Sequence, residues 1–413
     1  MKRVIIGLLF LCGSVLELQA QMKELQSWIA SPLSARSPIS ENSFAKKPIS
    51  EGKAQKAAEL LILDKKKELA KYQGTQWYDR LLRIDDYKMP FFLKIWGAKP
   101  EDGRSLYLSM HGGGGAPTEV NDKQYENQKK LYDAAMENLE GVYLAMRAPT
   151  DTWNMWHQAH IDEFINSIIQ LAVIYENVNP NKVYILGYSA GGDGVYQLAP
   201  RIADRWAASA MMAGHPGDAS AINLRNTPFA IHVGALDSAY KRNEHTVTWQ
   251  LELKKLQEQD PEGYNHLVGI PEDMGHWMKL EDAVALPWMS DFRRNPIPKK
   301  VLWKQDNVLH SQFYWLSVPD NLMEQKGVVI AAYDKVKNEI NILENNYAEL
   351  NINLNDQMLD LDKPITLKFQ GNTIYTGVPE RNIQNIWESL AYKGDAQLIF
   401  SARLVVVNNS TVK

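Results

Sequence analysis

The segment Gly187-Tyr188-Ser189-Ala190-Gly191 has the G-x-S-x-G spacing of a nucleophilic serine. It lies between an apolar run typical of a strand, VYILG, and a helical stretch. When a strand turns this sharply into a helix, the serine is held exposed, and glycine on either side avoids a steric clash. The N-terminus of the helix also favours negative charge beside the serine. The spacing alone occurs by chance, but its setting predicts that Ser189 is a nucleophile.

A glycine run, HGGGG at residues 111–115, directly follows another predicted strand, SLYLSM. Acyl transfer forms a tetrahedral oxyanion, which backbone N–H groups stabilise when they point at it. We predict that Ala190, the residue after the serine, supplies one of these N–H groups and that the glycine loop supplies the other. A phosphate-binding loop is the alternative, but no G-x-x-x-x-G-K-[ST] motif occurs in the sequence.

A nucleophilic serine needs a general base, and the base needs an orienting carboxylate. Asp237 directly follows the run FAIHVGAL, just past the carboxyl end of a predicted strand, and His276 follows the last predicted core strand. We predict that these two residues complete a triad with Ser189, with Asp218 as the main rival acid. The other candidate histidines fit less well, because they lie in or at the start of a predicted strand or helix, or precede the acid: His215, His232, His245 and His266.

Tryptophans near these motifs are candidates for substrate contact. Trp153 and Trp156 lie in a loop after a predicted strand, and Trp277 follows His276. An aromatic side chain could stack on a sugar or aryl ring there, although packing within the loop is an equal alternative. The same loop carries a weak signal for a metal site: His157, His160 and Asp162. Nothing fixes a further ligand, so neither a metal nor a cofactor is predicted.

Residues 90–296 alternate short apolar runs with helical stretches, which predicts an α/β fold. The predicted strands cover residues 91–97, 105–110, 142–146, 183–187, 208–213, 229–234 and 266–270. We expect a mostly parallel sheet flanked by helices. Because such sheets bind ligands at the carboxyl ends of their strands, the motifs described above should meet at one edge.

The regions on either side of this core differ from it in pattern. Residues 21–89 predict an N-terminal helical extension, with an amphipathic helix over residues 53–72. Residues 297–413 show period-two alternation with Asn, Asp, Gly and Pro between the runs, interrupted by a helix over residues 381–392. They predict a C-terminal β-rich domain, whose role the sequence leaves open.

The first twenty residues read as a secretory signal peptide with cleavage after Ala20, so we expect secretion or a periplasmic location. The only cysteine, Cys12, lies in this segment, where lipid attachment is a minor alternative. No other apolar run is long enough to predict stable membrane insertion. The net charge of −4 gives no electrostatic signature for nucleic acid, and the oligomeric state stays open.

Four motifs, HGGGGAP, GYSAGGDG, HVGALD and GHWM, resemble those of the α/β-hydrolase superfamily. Within it, the chain is similar to secreted esterases of the polyhydroxybutyrate depolymerase-like and dienelactone hydrolase-like groups. The resemblance implies that Ser189 is the nucleophile, Asp237 the acid and His276 the base. It also implies that Gly113 and Gly114 belong to the oxyanion loop.

The resemblance implies hydrolysis of carboxylic esters through an acyl-enzyme, with no cofactor. The substrate would be a small-molecule or polymer-linked ester, for example one on a polysaccharide or in a polyester. A peptidase of the prolyl-oligopeptidase type is the first alternative, although too few residues precede the predicted core for that family's β-propeller. A non-catalytic carbohydrate-binding protein with a hydrolase fold is the second. The acyl and alcohol groups stay undetermined.

Overall fold

The computed structural model describes residues 20–412. Apart from residue 20, the predicted signal peptide lies outside the described residues, and so does Cys12. The chain forms two compact units. We call them the core unit, Leu69–Tyr314 with Met323–Ile330, and the β-rich unit, residues 20–68, Trp315–Leu322 and residues 331–412.

The helices of the described residues are α1 (residues 20–30), α2 (Ser43–Lys46), α3 (Glu51–Tyr78), α4 (Thr118–Gln128), α5 (Asp133–Met136), α6 (Ala159–Tyr175), α7 (Ala190–Arg201), α8 (Arg242–Gln259), α9 (Ala285–Ser290) and α10 (Ile383–Lys393). None of these helices is both long and apolar enough to cross a membrane.

The strands of the core unit up to residue 269 are β1 (Leu81–Ile84), β2 (Tyr87–Trp96), β3 (Arg104–Met110), β4 (Gly141–Met146), β5 (Val178–Tyr188), β6 (Ala208–Met212), β7 (Phe229–His232) and β8 (His266–Gly269). The later strands are β9 (Lys300–Lys304), β10 (Gln312–Phe313), β11 (Leu316–Ser317), β12 (Val328–Asp334), β13 (Glu339–Asn345), β14 (Glu349–Leu354), β15 (Ile365–Phe369), β16 (Asn372–Gly377), β17 (Ala402–Val407) and β18 (Thr411–Val412).

The core unit contains an eight-stranded sheet in the order β1-β2-β4-β3-β5-β6-β7-β8. Strand β2 runs antiparallel to both of its neighbours, and the pairings from β4 to β8 are all parallel. Strands β4, β6 and β7 are buried along their whole length, which explains their largely apolar sequences. The predicted α/β fold is confirmed.

Alternate side chains of β3 belong to two different hydrophobic clusters of the core unit. Leu108 packs in one cluster together with Phe164 and Ile168 of α6, whereas Tyr107 packs in the other with Met289 of α9. Successive residues of a strand point to opposite faces of the sheet. Helices therefore cover both faces of the sheet.

The order of the strands brings the two glycine-containing motifs together. Strand β3 lies between β4 and β5, so the chain places the next strand on one side of β3 and the following strand on its other side. Met110, the last residue of β3, pairs with Gly187 near the end of β5. The HGGGG loop and Ser189 therefore leave adjacent strands at the same sheet edge, at the switch point where open α/β sheets bind their ligands.

Helix α3 is longer than predicted because tertiary packing holds its last turns. Trp77 is buried and donates a hydrogen bond from its Nε1 to Oε1 of Glu176 at 3.0 Å. Strand β1 was not expected, because a four-residue strand with one buried residue, Leu82, is too short to show a period. The predicted start of the core at residue 90 falls inside β2.

In the β-rich unit, β11, β14, β17 and β18 lie side by side, and so do β16, β15, β13 and β12. Helices α1 and α3 share a hydrophobic cluster with α10, in which Leu61 and Ile386 are fully buried. The C-terminal β-rich region is confirmed, but the N-terminal helices pack with it. The two units therefore have limits different from the predicted boundaries at residues 89/90 and 296/297.

Candidate active site

Ser189 occupies the turn between β5 and α7 in a strained backbone conformation, with φ 57° and ψ −120°. Non-glycine residues are rare in this region, and strain of this kind is concentrated at functional sites. A Cβ on Gly187 would overlap the carbonyl of Gly191, and one on Gly191 would overlap the carbonyl of Met110. Both flanking glycines are therefore required by close backbone contacts.

Ser189, His276 and Asp237 form one continuous chain of hydrogen bonds. His276 Nε2 lies 3.0 Å from Ser189 Oγ, and His276 Nδ1 lies 2.7 Å from Asp237 Oδ2. Asp237 follows β7, and its side chain is only 1% exposed, whereas that of His276 after β8 is 44% exposed. Arg242 Nη1 lies 3.6 Å from the other Asp237 oxygen, so a cation faces the buried carboxylate.

The rival residues have other partners. Asp218 accepts a hydrogen bond from Gln197 Nε2 at 3.1 Å, and His215 packs edge to face against His245 with 4.6 Å between ring centroids. His232 is buried within β7, and His266 Nδ1 bonds to the carbonyl of Tyr264. Among the histidines that the structure describes, His276 is thus the one that hydrogen-bonds to Ser189.

Tyr188 holds the segment that carries His276, a role that sequence reasoning missed. Its hydroxyl donates to the His276 carbonyl at 2.6 Å and accepts from the Met278 N–H at 3.0 Å. Tyr188 precedes Ser189 directly, so strand β5 positions both the serine and the main chain of its partner. The second position of G-x-S-x-G, which Tyr188 occupies, tolerates any side chain, so the sequence carried no signal for this contact.

The glycine loop lies beside the serine and adopts backbone conformations that favour glycine. Gly113 has φ +106° and Gly114 has φ +78°. A Cβ on Gly112 would lie 3.1 Å from the Cβ of Ser189, and one on Gly114 would lie 3.2 Å from the Cβ of Ala190. The backbone of the glycine loop therefore lies in close contact with Ser189 and Ala190.

The predicted set of oxyanion donors needs one correction. The Gly114 N–H donates to Oδ1 of Asn121 at 2.8 Å, so it is already used within the protein. An N–H group bound to a side-chain acceptor is not free to bind a developing oxyanion. Gly113 and Ala190 stay the predicted donors, and Gly113 lines the cavity that contains Ser189.

Asn121 of α4 holds the glycine loop in place. It is fully buried, accepts the Gly114 N–H, and donates from Nδ2 to the Ala116 carbonyl at 2.9 Å. Any Cβ on Gly113 would overlap the Asn121 amide oxygen. The amide therefore connects both ends of the loop turn. Its position, six residues beyond the glycine run in a polar helix, gave no sequence signal.

We expect Asn121→Ala to lower kcat of an ester-hydrolysing reaction about 10- to 100-fold while changing KM much less. The substitution leaves the Gly114 N–H without its acceptor, and the loop loses the contact that orients its N–H groups. Lys123→Ala on the same helix is the control and should keep wild-type rates. Steady-state kinetics test this; equal loss in the two variants, or loss confined to KM, would contradict the role.

His111 is a structural residue of the loop rather than a second base. Its Nδ1 lies 2.6 Å from the Gly112 carbonyl, and its Nε2 accepts the Ala148 N–H at 3.1 Å. Burial lowers the pKa of His111 to about 4, so the ring is neutral near pH 7. These bonds place the hydrogen on Nδ1, where it connects the ring to the loop.

His111 and His232 are expected to make the protein less stable in acid. Burial lowers the pKa of each to about 4, against about 6.5 for an unfolded histidine. Between these pH values the unfolded chain binds protons that the folded chain does not, so the free energy of unfolding falls as pH drops from about 6.5 to about 4. Burial raises the pKa of Asp193 to about 6, which acts in the opposite direction and offsets part of the effect.

Denaturant unfolding across this pH range tests the expectation. We expect the stability of His232→Gln to depend less steeply on pH than that of the wild type, whatever its absolute stability. A wild-type stability that is flat from about pH 6.5 to about pH 4, or an equal slope in His232→Gln, would contradict it.

The three predicted tryptophans have different surroundings. Trp277 is 50% exposed and lines the cavity beside Ser189. Trp153 is 70% exposed, and its backbone carbonyl lies 3.2 Å from the position of a Cβ on Gly114. Trp156 is fully buried and donates its Nε1–H to the His111 carbonyl at 2.9 Å. The prediction that Trp156 contacts substrate is wrong, because its ring packs in the core.

Two of the residues that gave the weak metal signal make other contacts in the structure. Asp162 lies 3.3 Å from Arg201 Nη1 and 2.8 Å from His310 Nε2, which makes it part of a buried charge network. His160 stacks against Tyr87 with 3.8 Å between ring centroids. Within residues 20–412, no three His, Cys, Asp or Glu side chains are grouped to hold a metal ion.

A cavity of about 650 Å³ opens beside Ser189. This volume lies within the range of about 300–1,000 Å³ that is usual for small-molecule sites. The cavity is lined by Gly112, Gly113, Gln124, Asn127, Gln128, Lys130, Leu131, Tyr188, Ser189, His276, Trp277 and Leu280. It is therefore bordered by the glycine loop, by α4 and the residues that follow it, and by the His276 segment.

The sheet order, the strained serine between strand and helix, and the chain order of Ser189, Asp237 and His276 are those of the α/β-hydrolase fold. No protein-family model and no curated protein matches the sequence.

Solved structures similar to this chain include several esterases. A thermostable esterase aligns over 52% of this chain and 64% of its own length, with 17% identity and a TM-score of 0.39. Est1E from Butyrivibrio proteoclasticus aligns over 51% of this chain and 95% of its own, with 14% identity and a TM-score of 0.35. An acetyl xylan esterase from Aspergillus awamori aligns over 51% and 98%, with 11% identity and a TM-score of 0.36.

Proposed function

We propose that this protein is a serine hydrolase that cleaves carboxylic esters, with Ser189 as nucleophile, His276 as general base and Asp237 as the orienting acid. The observation that carries the proposal is the hydrogen-bonded chain from Asp237 through His276 to Ser189, with distances of 2.7 and 3.0 Å. The 3.0 Å distance lies within the range that a nucleophile and its base require, and the 2.7 Å bond lets Asp237 orient the base.

In the first half of the reaction, Ser189 Oγ attacks the ester carbonyl carbon while His276 Nε2 takes the hydroxyl proton. The carbonyl oxygen becomes an oxyanion, to which the N–H groups of Gly113 and Ala190 would donate. His276 then passes its proton to the alcohol oxygen as the bond from carbon to that oxygen breaks. The alcohol leaves, and the acyl group stays on Ser189.

In the second half, His276 Nε2 takes a proton from water, and the water oxygen attacks the acyl carbon. Collapse of the second tetrahedral intermediate returns the proton to Ser189 Oγ and releases the carboxylic acid. Asp237 keeps the hydrogen of His276 on Nδ1, so that Nε2 is free to accept. Its nearly complete burial strengthens the attraction to the imidazolium that forms in each half.

A paired assay tests the reaction class. We expect hydrolysis of short aryl esters and little cleavage of the matching aryl amides, and both activities should disappear in Ser189→Ala. Amide cleavage at a rate comparable to ester cleavage would favour the peptidase alternative. Retained ester hydrolysis in Ser189→Ala would contradict the proposed nucleophile, and an inactive wild type that binds carbohydrate would favour the non-catalytic alternative.

We also propose that the protein is exported, on the basis of the basic residues Lys2 and Arg3 and the apolar run that follows them. Expression of the full chain in a bacterial host tests this. The expected product is found outside the cytoplasm with its N-terminus at residue 21. Intact chain retained in the cytoplasm would contradict export.

A further inference from the structure

The cavity beside Ser189 has two kinds of lining. Gln124, Asn127 and Lys130 come from α4 and the two residues after it, and they offer amide and ammonium groups. Trp277 and Leu280 come from the segment after His276 and are apolar. A group that fills this cavity therefore meets hydrogen-bond donors from one part of the chain and apolar surface from another.

The side chains of Gln124, Asn127 and Lys130 are free to bind a ligand. Gln124 and Asn127 lie about one turn apart on α4, and Lys130 lies in the turn that follows the helix. Across residues 20–412, no hydrogen bond or ion pair joins the side chain of Gln124, Asn127 or Lys130 to another group. The adjacent Lys129, in contrast, forms an ion pair with Glu126.

The cavity also has an unbalanced charge. Lys130 is the only lysine, arginine, aspartate or glutamate among its lining residues. The chain as a whole carries a net charge of −4, so an unpaired lysine in the cavity is not part of a generally basic surface. An ammonium group beside two amide NH₂ groups supplies several donors and one positive charge, a combination that suits a carboxylate.

We propose that the substrate group occupying this cavity carries a carboxylate, which Lys130 binds with Gln124 and Asn127 while Trp277 covers the apolar part of that group. The inference rests on the proposed ester hydrolysis at Ser189. It defines the substrate as an acidic ester, with the carboxylate either on the acyl group, as in a half-ester of a dicarboxylic acid, or on the alcohol, as in an ester of a hydroxy acid.

Two matched substrate pairs test it and distinguish the two positions. The acyl pair is the aryl half-ester of glutaric acid and the aryl ester of pentanoic acid. The alcohol pair is 4-acetoxybenzoate and 4-acetoxybenzamide. Lys130→Met removes the charge at similar length, Lys130→Arg keeps it, and Lys129→Met is the matched control on the neighbouring lysine.

In Lys130→Met, we expect kcat/KM for the acidic member of one pair to fall about fivefold, mainly through KM, with its neutral partner changing less than about twofold. Lys130→Arg and Lys129→Met should behave like the wild type. Added salt should weaken the wild-type preference for the acidic member. Equal changes for acidic and neutral members in both pairs would overturn the inference and leave ester hydrolysis standing.

If the wild type hydrolyses none of the four esters, the proposed reaction fails, and the anion site is judged by binding alone. Calorimetry with glutarate and 4-hydroxybenzoate then compares the wild type with Lys130→Met. Weaker binding of either acid to the variant supports the carboxylate site. Equal binding to both proteins, or no binding, overturns it.

Discussion

Ser189→Ala is expected to lower kcat for ester hydrolysis by about 10⁵- to 10⁶-fold. Alanine removes the oxygen that forms the acyl-enzyme, and His276 then has no proton to take. The remaining rate would come from substrate binding and the oxyanion donors alone. The fold should be retained, because the Ser189 N–H bond to the Met212 carbonyl, at 2.9 Å, does not depend on the side chain.

Ser220→Ala in the same unit is the control and should keep wild-type kinetics. Initial rates on a short aryl ester, with circular dichroism to verify folding, make the comparison. Activity of Ser189→Ala within about tenfold of the wild type would mean that another group performs the attack.

Asp237→Asn is expected to lower kcat by about 10⁴-fold with little change in KM. The asparagine amide donates to His276 Nδ1 in place of accepting from it, so the ring carries its hydrogen on Nε2. Nε2 lies 3.0 Å from Ser189 Oγ and can then no longer accept the serine proton. The loss of negative charge also removes the stabilisation of the imidazolium.

Asp218→Asn separates this mechanism from a general effect of removing an acid. The Asp218 carboxylate bonds to Gln197 and makes no contact with His276, so we expect nearly unchanged kcat. A large loss in Asp218→Asn with a small loss in Asp237→Asn would reverse the assignment of the acid.

The local chemistry of the site could be predicted because it depends on short patterns. The turn at Ser189 requires glycine at two positions, and the overlaps at Gly187 and Gly191 are the physical reason. The sheet edge where the motifs meet followed from parallel strands that end together. The proximity of Asp237 and His276 to Ser189 could be inferred from chain order, while their catalytic roles stay predictions.

Contacts over long sequence separations could not be predicted. Tyr188 bonds to the main chain at His276, 88 residues away, and Trp156 is buried against the carbonyl of His111, 45 residues away. No periodicity or motif encodes such pairs. An exposed tryptophan and a buried one, such as Trp153 and Trp156, therefore look the same in a loop sequence.

The sequence pattern also could not predict how the chain divides into two compact units. The amphipathic stripe of α3 predicts that one face of the helix is buried, but it does not identify the residues that cover that face. Leu61 packs in the cluster that contains Ile383 and Leu390 of α10, more than 300 residues later in the chain. Hydrophobic burial is non-directional, so an apolar stripe does not identify its partner.

The central claim is that Ser189 is an activated nucleophile, and covalent labelling tests it most directly. The intact protein is treated with a fluorophosphonate, digested, and analysed by mass spectrometry. We predict a single adduct, on Ser189 in the peptide that contains GYSAGGDG, and much slower labelling in His276→Ala. An unmodified Ser189, or an adduct on a different serine, would contradict the account.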